Sequence, residues 1–176
     1  MFFCRNFKQT NNMKPNAISL ANYFVDRAAS EQVDIFQLGL MKRVYITHGF
    51  CLAIFGKSAL DPRFDVVEAW KYGPVIPSVY HSFKHNREKP IIEKSEIINV
   101  DPKTYEIDVE TPKLTDNDII KVANVTWSRY LGFSDSQMVE LTHRQGTPWG
   151  MCYQPGKTCV IPDEYTKAFY KKLIKK

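Results

Sequence analysis

A chain of 176 residues, 44% hydrophobic and 24% charged, is long enough for one substantial core and far from the composition of a disordered polymer, so one compact domain is expected. The formal net charge of +5 hints at nucleic acid, yet the tail Lys171-Lys172-Leu173-Ile174-Lys175-Lys176 holds four of the lysines and leaves only +1 for everything before it. A cationic cluster of that kind complements the dipole of a helix C-terminus, so nucleic acid is not an expected partner, although the tail leaves it open.

Residues 1–15 are polar and rich in Asn and Gln, and Met13 is an alternative start; a disordered extension is expected there, followed by a single domain over 16–176. The opening MFFCRNF is too short for a signal-peptide core, and no run of about 18 apolar residues occurs, so neither export nor a membrane is expected and the protein is placed in the cytoplasm. Cys4, Cys51, Cys152 and Cys159 form no metal-type pair and read as reduced thiols.

Ala17, Leu20, Ala21, Phe24 and Ala28 share one face of a helix over about 16–30, with Asn22, Asp26 and Arg27 facing out. Leu38, Met41, Tyr45, Leu52 and Phe55 continue a stripe through a longer helix over about 35–55, which Gly56 ends in the left-handed conformation and which is expected to be the spine of the core. Gly39 and Gly49 inside it each cost up to about 1 kcal/mol against Ala, which points to close packing. After Asp61-Pro62, an extended stretch over 64–70 leads to a helix opened by Pro77, with Val75, Val79 and Phe83 at four-residue spacing.

Over about 96–110 the period changes to two: Ile98 and Val100, then Tyr105, Ile107 and Val109, alternate with polar residues around an Asp101-Pro102 turn. This predicts a β-hairpin with one wet face. Thr115 and Asp118 open a third long helix lined by Ile119, Ala123, Trp127 and Tyr130 and ended by Gly132. Ser134 and Gln137 form a capping box, with Phe133 and Met138 as its hydrophobic staple, for a helix that ends near Arg144 and is capped by Gly146. Pro162-Asp163 starts a last helix in which Tyr165, Phe169 and Leu173 recur. The sum is a predominantly α-helical α+β domain of five to seven helices with one small antiparallel hairpin.

The chemistry in the sequence is sparse. His81 and His85 stand at i, i+4 on the predicted helix, a metal-compatible spacing, but HSFKH lacks the Glu that follows the first His in zinc proteases, and a solvated helix face is the competing reading. Ser78, His81 and Asp65 lack the nucleophile elbow that a hydrolase triad would need. Cys51 or Cys152 with His143 would make a thiol nucleophile and base, outside any local signature. No phosphate-cradling or dinucleotide glycine motif occurs, and neither a cofactor nor a metal is expected.

Two stretches stand out. In EAWKYGPVIPSVY, Gly73, Pro74 and Pro77 stiffen a bend studded with Trp70, Tyr72 and Tyr80, beside Lys71. Such a corner serves equally as an interface anchor, because little entropy is lost on binding, or as a lock between a strand and a helix. In LTHRQGTPW, Pro148 prevents continuation of the helix and His143 lies in the last turn, read as a capping or hydrogen-bonded histidine with a catalytic base as the alternative.

Taken with Leu38, Lys42, Tyr45 and Gly49, these stretches resemble the Panacea domain, the SocA-like antitoxin family that also includes phage-associated proteins. The family patterns are L-x-x-x-K-x-x-Y-x-x-x-G, E-A-W-x-x-G-P-V-x-P-x-x-Y and L-T-H-x-x-G-x-P-W. Glu68, Ala69, Trp70, Gly73, Pro74, Val75, Pro77 and Tyr80 match the second, and Leu141, Thr142, His143, Gly146, Pro148 and Trp149 the third. The resemblance spans about residues 17–172 and implies an antitoxin that neutralises a cognate toxin by direct binding, as in type II toxin–antitoxin systems. The alternatives are a prophage-borne protein that binds a host defence or regulatory protein and, third, a hydrolase. The expected partner-binding or motif residues are Lys42, Tyr45, Trp70, Lys71, Tyr72, Gly73, Pro74, Pro77, Tyr80, His143 and Trp149.

Overall fold

A computed structural model describes residues 16–175; the expected N-terminal extension over 1–15 lies outside the described residues. Helix α1 (Ala17–Glu31) starts at a capping box in which the side chain of Asn16 accepts from Ser19 N and the Ser19 hydroxyl oxygen accepts from Asn16 N. The carboxylate of Asp65 reaches the same helix end, accepting from Ala17 N at 2.8 Å, from Asp61 N at 3.0 Å and from the Ser78 hydroxyl at 2.6 Å. A buried carboxylate at a helix N-terminus offsets the dipole and satisfies donors that have no partner within the helix. Asn22, expected to face out, is instead buried. Its Nδ2 donates to Ser95 O and Pro112 O while its Oδ1 accepts from Ser95 N, pinning two loops to the helix.

Helix α2 (Gln37–Phe55) is the spine, and it is buried nearly all round rather than along one stripe: Leu40, Met41, Val44, Tyr45, Ile46, Cys51 and Leu52 are buried with Lys42, Arg43, Thr47 and His48, whereas Phe55 is exposed. It is long and apolar enough to cross a membrane by length and composition, and 72% of that stretch is buried inside the fold. Both of its internal glycines mark close approaches. A Cβ at Gly39 would lie 2.4 Å from Asp135 Oδ1, and one at Gly49 would lie 2.3 Å from the Tyr170 ring. Gly56 ends the helix at φ 66, as expected.

Strands β1 (Glu68–Trp70) and β2 (Gly73–Val75) pair antiparallel around the two-residue turn Lys71-Tyr72. Helix α3 (Pro77–Phe83) follows, and a 3₁₀ turn over Lys84–Asn86 takes over from it. His81 and His85 therefore do not share one α-helical face, a correction to the i, i+4 reading. Strands β3 (Ile97–Val100) and β4 (Ile107–Glu110) form the expected hairpin. Its apolar face is not buried, however: the cross-strand pairs Ile98–Val109 and Val100–Ile107 are all more than half exposed. Tyr105, expected in the strand, sits in the turn at φ 58.

Helix α4 (Asn117–Tyr130) is capped by Asp116, which accepts from Asp118 N and Ile119 N, rather than by Thr115, and it passes through Leu131 in right-handed geometry before reaching Gly132. Ile119, Ala123 and Trp127 face the core as expected. Helix α5 (Asp135–Thr142) has the expected capping box of Ser134 and Gln137, and Met138 is fully buried. It ends at His143, short of Gly146, which adopts φ 84 within the following turn. Pro148, expected only to stop a helix, is the first residue of a new one, α6 (Pro148–Cys152), where its missing N–H would have had no partner in any case.

A short strand β5 (Cys159–Val160) pairs with β1, giving the sheet order β2-β1-β5, before helix α7 (Asp163–Ile174) packs against α2. One contiguous core joins α1, α2, α4 and α7 to the sheet. The fold is predominantly α-helical α+β, with seven α-helices among the described residues.

Candidate functional site

The β1–β2 turn is held from three directions. Trp149 Nε1 donates to Trp70 O at 2.7 Å, His143 Nε2 to Lys71 O at 2.8 Å, and Lys42 Nζ to Pro74 O at 2.9 Å. Each of the three motifs thus contributes to one arrangement: the second supplies the carbonyls, the first and third the donors. His143 is half-buried and lies against the Trp149 ring at 3.7 Å, and Trp149 stacks in turn on Tyr153 at 4.6 Å. Since a carbonyl cannot donate, Nε2 of His143 carries the proton. That nitrogen is committed to the turn.

Gly73 is required twice over. Its φ of 100 is one that residues with a side chain rarely adopt, and a Cβ there would sit 2.8 Å from Lys42 Nζ. Lys42 itself is fully buried, and burial pulls its ammonium down from 10.5 to about 7. Tyr45, one turn further along α2, is buried edge-on to Tyr170 at 6.0 Å, and burial raises its phenol well above the ordinary range. Pro74 is buried and Pro77 opens α3.

Outside this lock, the turn shows a different face. Tyr72 is 61% exposed, with Lys71 Nζ over its ring at 5.3 Å. Trp70 and Tyr80 are half-buried and meet edge-on at 4.9 Å, and Trp70 Nε1 donates to Glu68 at 2.6 Å. Together with Phe36, Leu38 and Met41 from the start of α2, these rings line an open apolar cavity of about 590 Å³. Arg87, Glu88 and Asp135 stand among its polar lining. The structure therefore assembles all eleven expected motif residues except Tyr45 and Pro77 directly around one turn and its cavity.

The other chemical candidates are placed elsewhere. Ser78 donates straight to Asp65, whose carboxylate is engaged with the start of α1, while His81 is exposed. Cys51 is buried in α2, and burial pushes its thiol up to about 12, away from the reactive thiolate. No group of three or more His, Cys, Asp or Glu side chains is placed to hold a metal ion among the described residues.

Two buried groups escaped the sequence reading. His48 is fully buried on α2, with Nε2 3.0 Å from Asp163 Oδ1 at the start of α7 and Nδ1 3.4 Å from the Ser58 hydroxyl. Arg43 donates to Tyr130 O at 2.8 Å and lies over the Trp127 ring at 5.6 Å. His48 falls on the apolar stripe itself, three residues after Tyr45 and four before Leu52, whereas Arg43 falls on the opposite face. Spacing alone could have signalled the burial of His48, and the absence of a wholly polar face on α2 that of Arg43.

The sequence motifs of this helical domain converge on one pinned aromatic turn with an apolar cavity beside it. The family described as Antitoxin SocA-like, Panacea domain matches residues 40–150, a span that contains every residue of the three motifs except Leu38, and the chain belongs to it. It is similar to Antitoxin SocA of Caulobacter vibrioides, 36% identical over 140 residues that cover 76% of this chain and 68% of the relative. No solved structure matches the chain.

Proposed function

We propose that this protein is an antitoxin that neutralises a cognate toxin by direct binding, as in type II systems, acting in the cytoplasm by occlusion and without turnover. The observation that carries the reading is membership of the antitoxin family together with an open apolar cavity beside the turn that the family motifs build. Pinning the carbonyls of Trp70, Lys71 and Pro74 fixes the turn before the partner arrives, so Tyr72 and the cavity meet it at little entropic cost. An aromatic or aliphatic side chain of the toxin fills the cavity, and Tyr72 covers it.

The test is co-expression with the product of the adjacent reading frame, followed by co-purification and titration of the purified pair. Tyr72 is exposed, so Tyr72→Ala keeps the fold and should weaken the complex by about 2 kcal/mol, about 30-fold. A folded Y72A chain that binds and neutralises as well as the parent would remove the corner from the interface.

A further inference from the structure

A second recess lies between α4 and α7 with α2 as its floor, and Leu141, Thr142 and the turn over 144–147 wall it on the side towards the aromatic turn. Its volume is about 870 Å³, and it shares no lining residue with the cavity at the turn. Phe50 and Ile54 of α2, Val125 of α4 and Leu173 of α7 give it an apolar lining, and Ile54, Val125 and Leu173 are 52%, 67% and 45% exposed. Apolar side chains bared along one concave surface mark an interaction site more strongly than the same residues scattered singly. The charged residues in its lining are Lys121, Arg129 and Arg144, with no carboxylate among them.

We infer that this recess is a docking groove for an amphipathic α-helix of a partner protein, one whose apolar stripe is flanked by Asp and Glu. Three helices with an open apolar trough between two of them have the shape that a fourth helix completes, with anchors at i, i+3, i+4 and i+7. The cationic lining selects the sign of the partner, because opposite charges at the rim steer association and like charges oppose it. A second copy docking groove to groove would set Lys121, Arg129 and Arg144 against themselves. Residues 1–15 carry Arg5, Lys8 and Lys14 and no carboxylate, so this chain's own N-terminal segment has the wrong charge as well. A bilayer surface engages a projecting apolar face rather than a recessed one.

The inference does not rest on the antitoxin reading, and its test uses the full chain without any toxin. The probe is a fluorescein-labelled helical peptide of about four turns, with leucines at i, i+3, i+4 and i+7 and glutamates flanking them; the control carries lysine at every glutamate. In anisotropy titrations the glutamate peptide should bind at least tenfold more tightly than the lysine peptide and weaken several-fold between 50 and 500 mM salt. Val125→Glu sits at an exposed position and keeps the fold, which circular dichroism checks, and it should cost the glutamate peptide at least tenfold. Tyr72→Ala should leave this binding unchanged, which separates the groove from the aromatic turn. Equal binding of the two peptides, or V125E binding like the parent, overturns the inference. So does a dimer in sedimentation, or co-flotation with anionic vesicles, that V125E abolishes, since the groove then belongs to a second copy or to lipid.

Discussion

Replacing Lys42 by Met tests the physical core of the site. The two side chains are similar in length, so the substitution removes the amine with little change in packing, and it takes one hydrogen bond from Pro74 O, a pH-independent loss of about 1 kcal/mol. The amine's own contribution depends on pH. Its folded value, about 7, lies below its ordinary 10.5, so below about pH 7 both states hold the proton and the full cost of a buried charge is present. Between about 7 and 10.5 the unfolded chain holds more protons than the folded one, and stability rises with pH by up to about 1.4 kcal/mol per unit. Above 10.5 both states are neutral and the cost has gone. Urea titrations of parent and Lys42→Met at pH 6, 7, 8 and 9 should therefore show the parent gaining about 2 kcal/mol on the variant between pH 7 and 9, every other titrating group being common to both chains. Parallel stability curves would mean that Lys42 is not titrating in that window, and the account of a buried amine under the turn would fail.

Two further substitutions probe how the frame around the site is held. Gly49→Ala would gain up to about 1 kcal/mol from helix propensity, but its Cβ meets the buried Tyr170 ring at 2.3 Å; a net loss of about 2 kcal/mol is expected in urea denaturation, partly restored by adding Tyr170→Leu. Asp65→Ala leaves Ala17 N, Asp61 N and the Ser78 hydroxyl without their acceptor and should cost about 2–3 kcal/mol by the same assay, while a loss under 0.5 kcal/mol would show that α1 does not depend on that cap.

Local signals carried the fold a long way. Gly56 and the Ser134–Gln137 box ended and started helices where their chemistry requires, and Gly39 and Gly49 announced close packing that Asp135 and Tyr170 supply. They failed where a neighbour distant in sequence set the outcome. Asn22 looks like an outward polar residue until the loops at Ser95 and Pro112 arrive to satisfy its amide. The alternation in β3 and β4 is real, yet alternation says only that one face is apolar; no element of the described fold covers it.

The candidate site divides in the same way. Stiffness of the turn is local, because Gly73, Pro74 and Pro77 set backbone angles whatever surrounds them, and the family is legible in the chain because the three motifs occur in order. What those motifs do to one another is set by packing. Lys42, His143 and Trp149 are separated from the turn by 32, 72 and 79 residues, and a hydrogen bond from each to a turn carbonyl exists only once α2, α5 and α6 have packed around β1 and β2. Backbone restriction is a property of neighbouring residues, whereas the pairing of buried donors with buried acceptors is settled by the whole packed core.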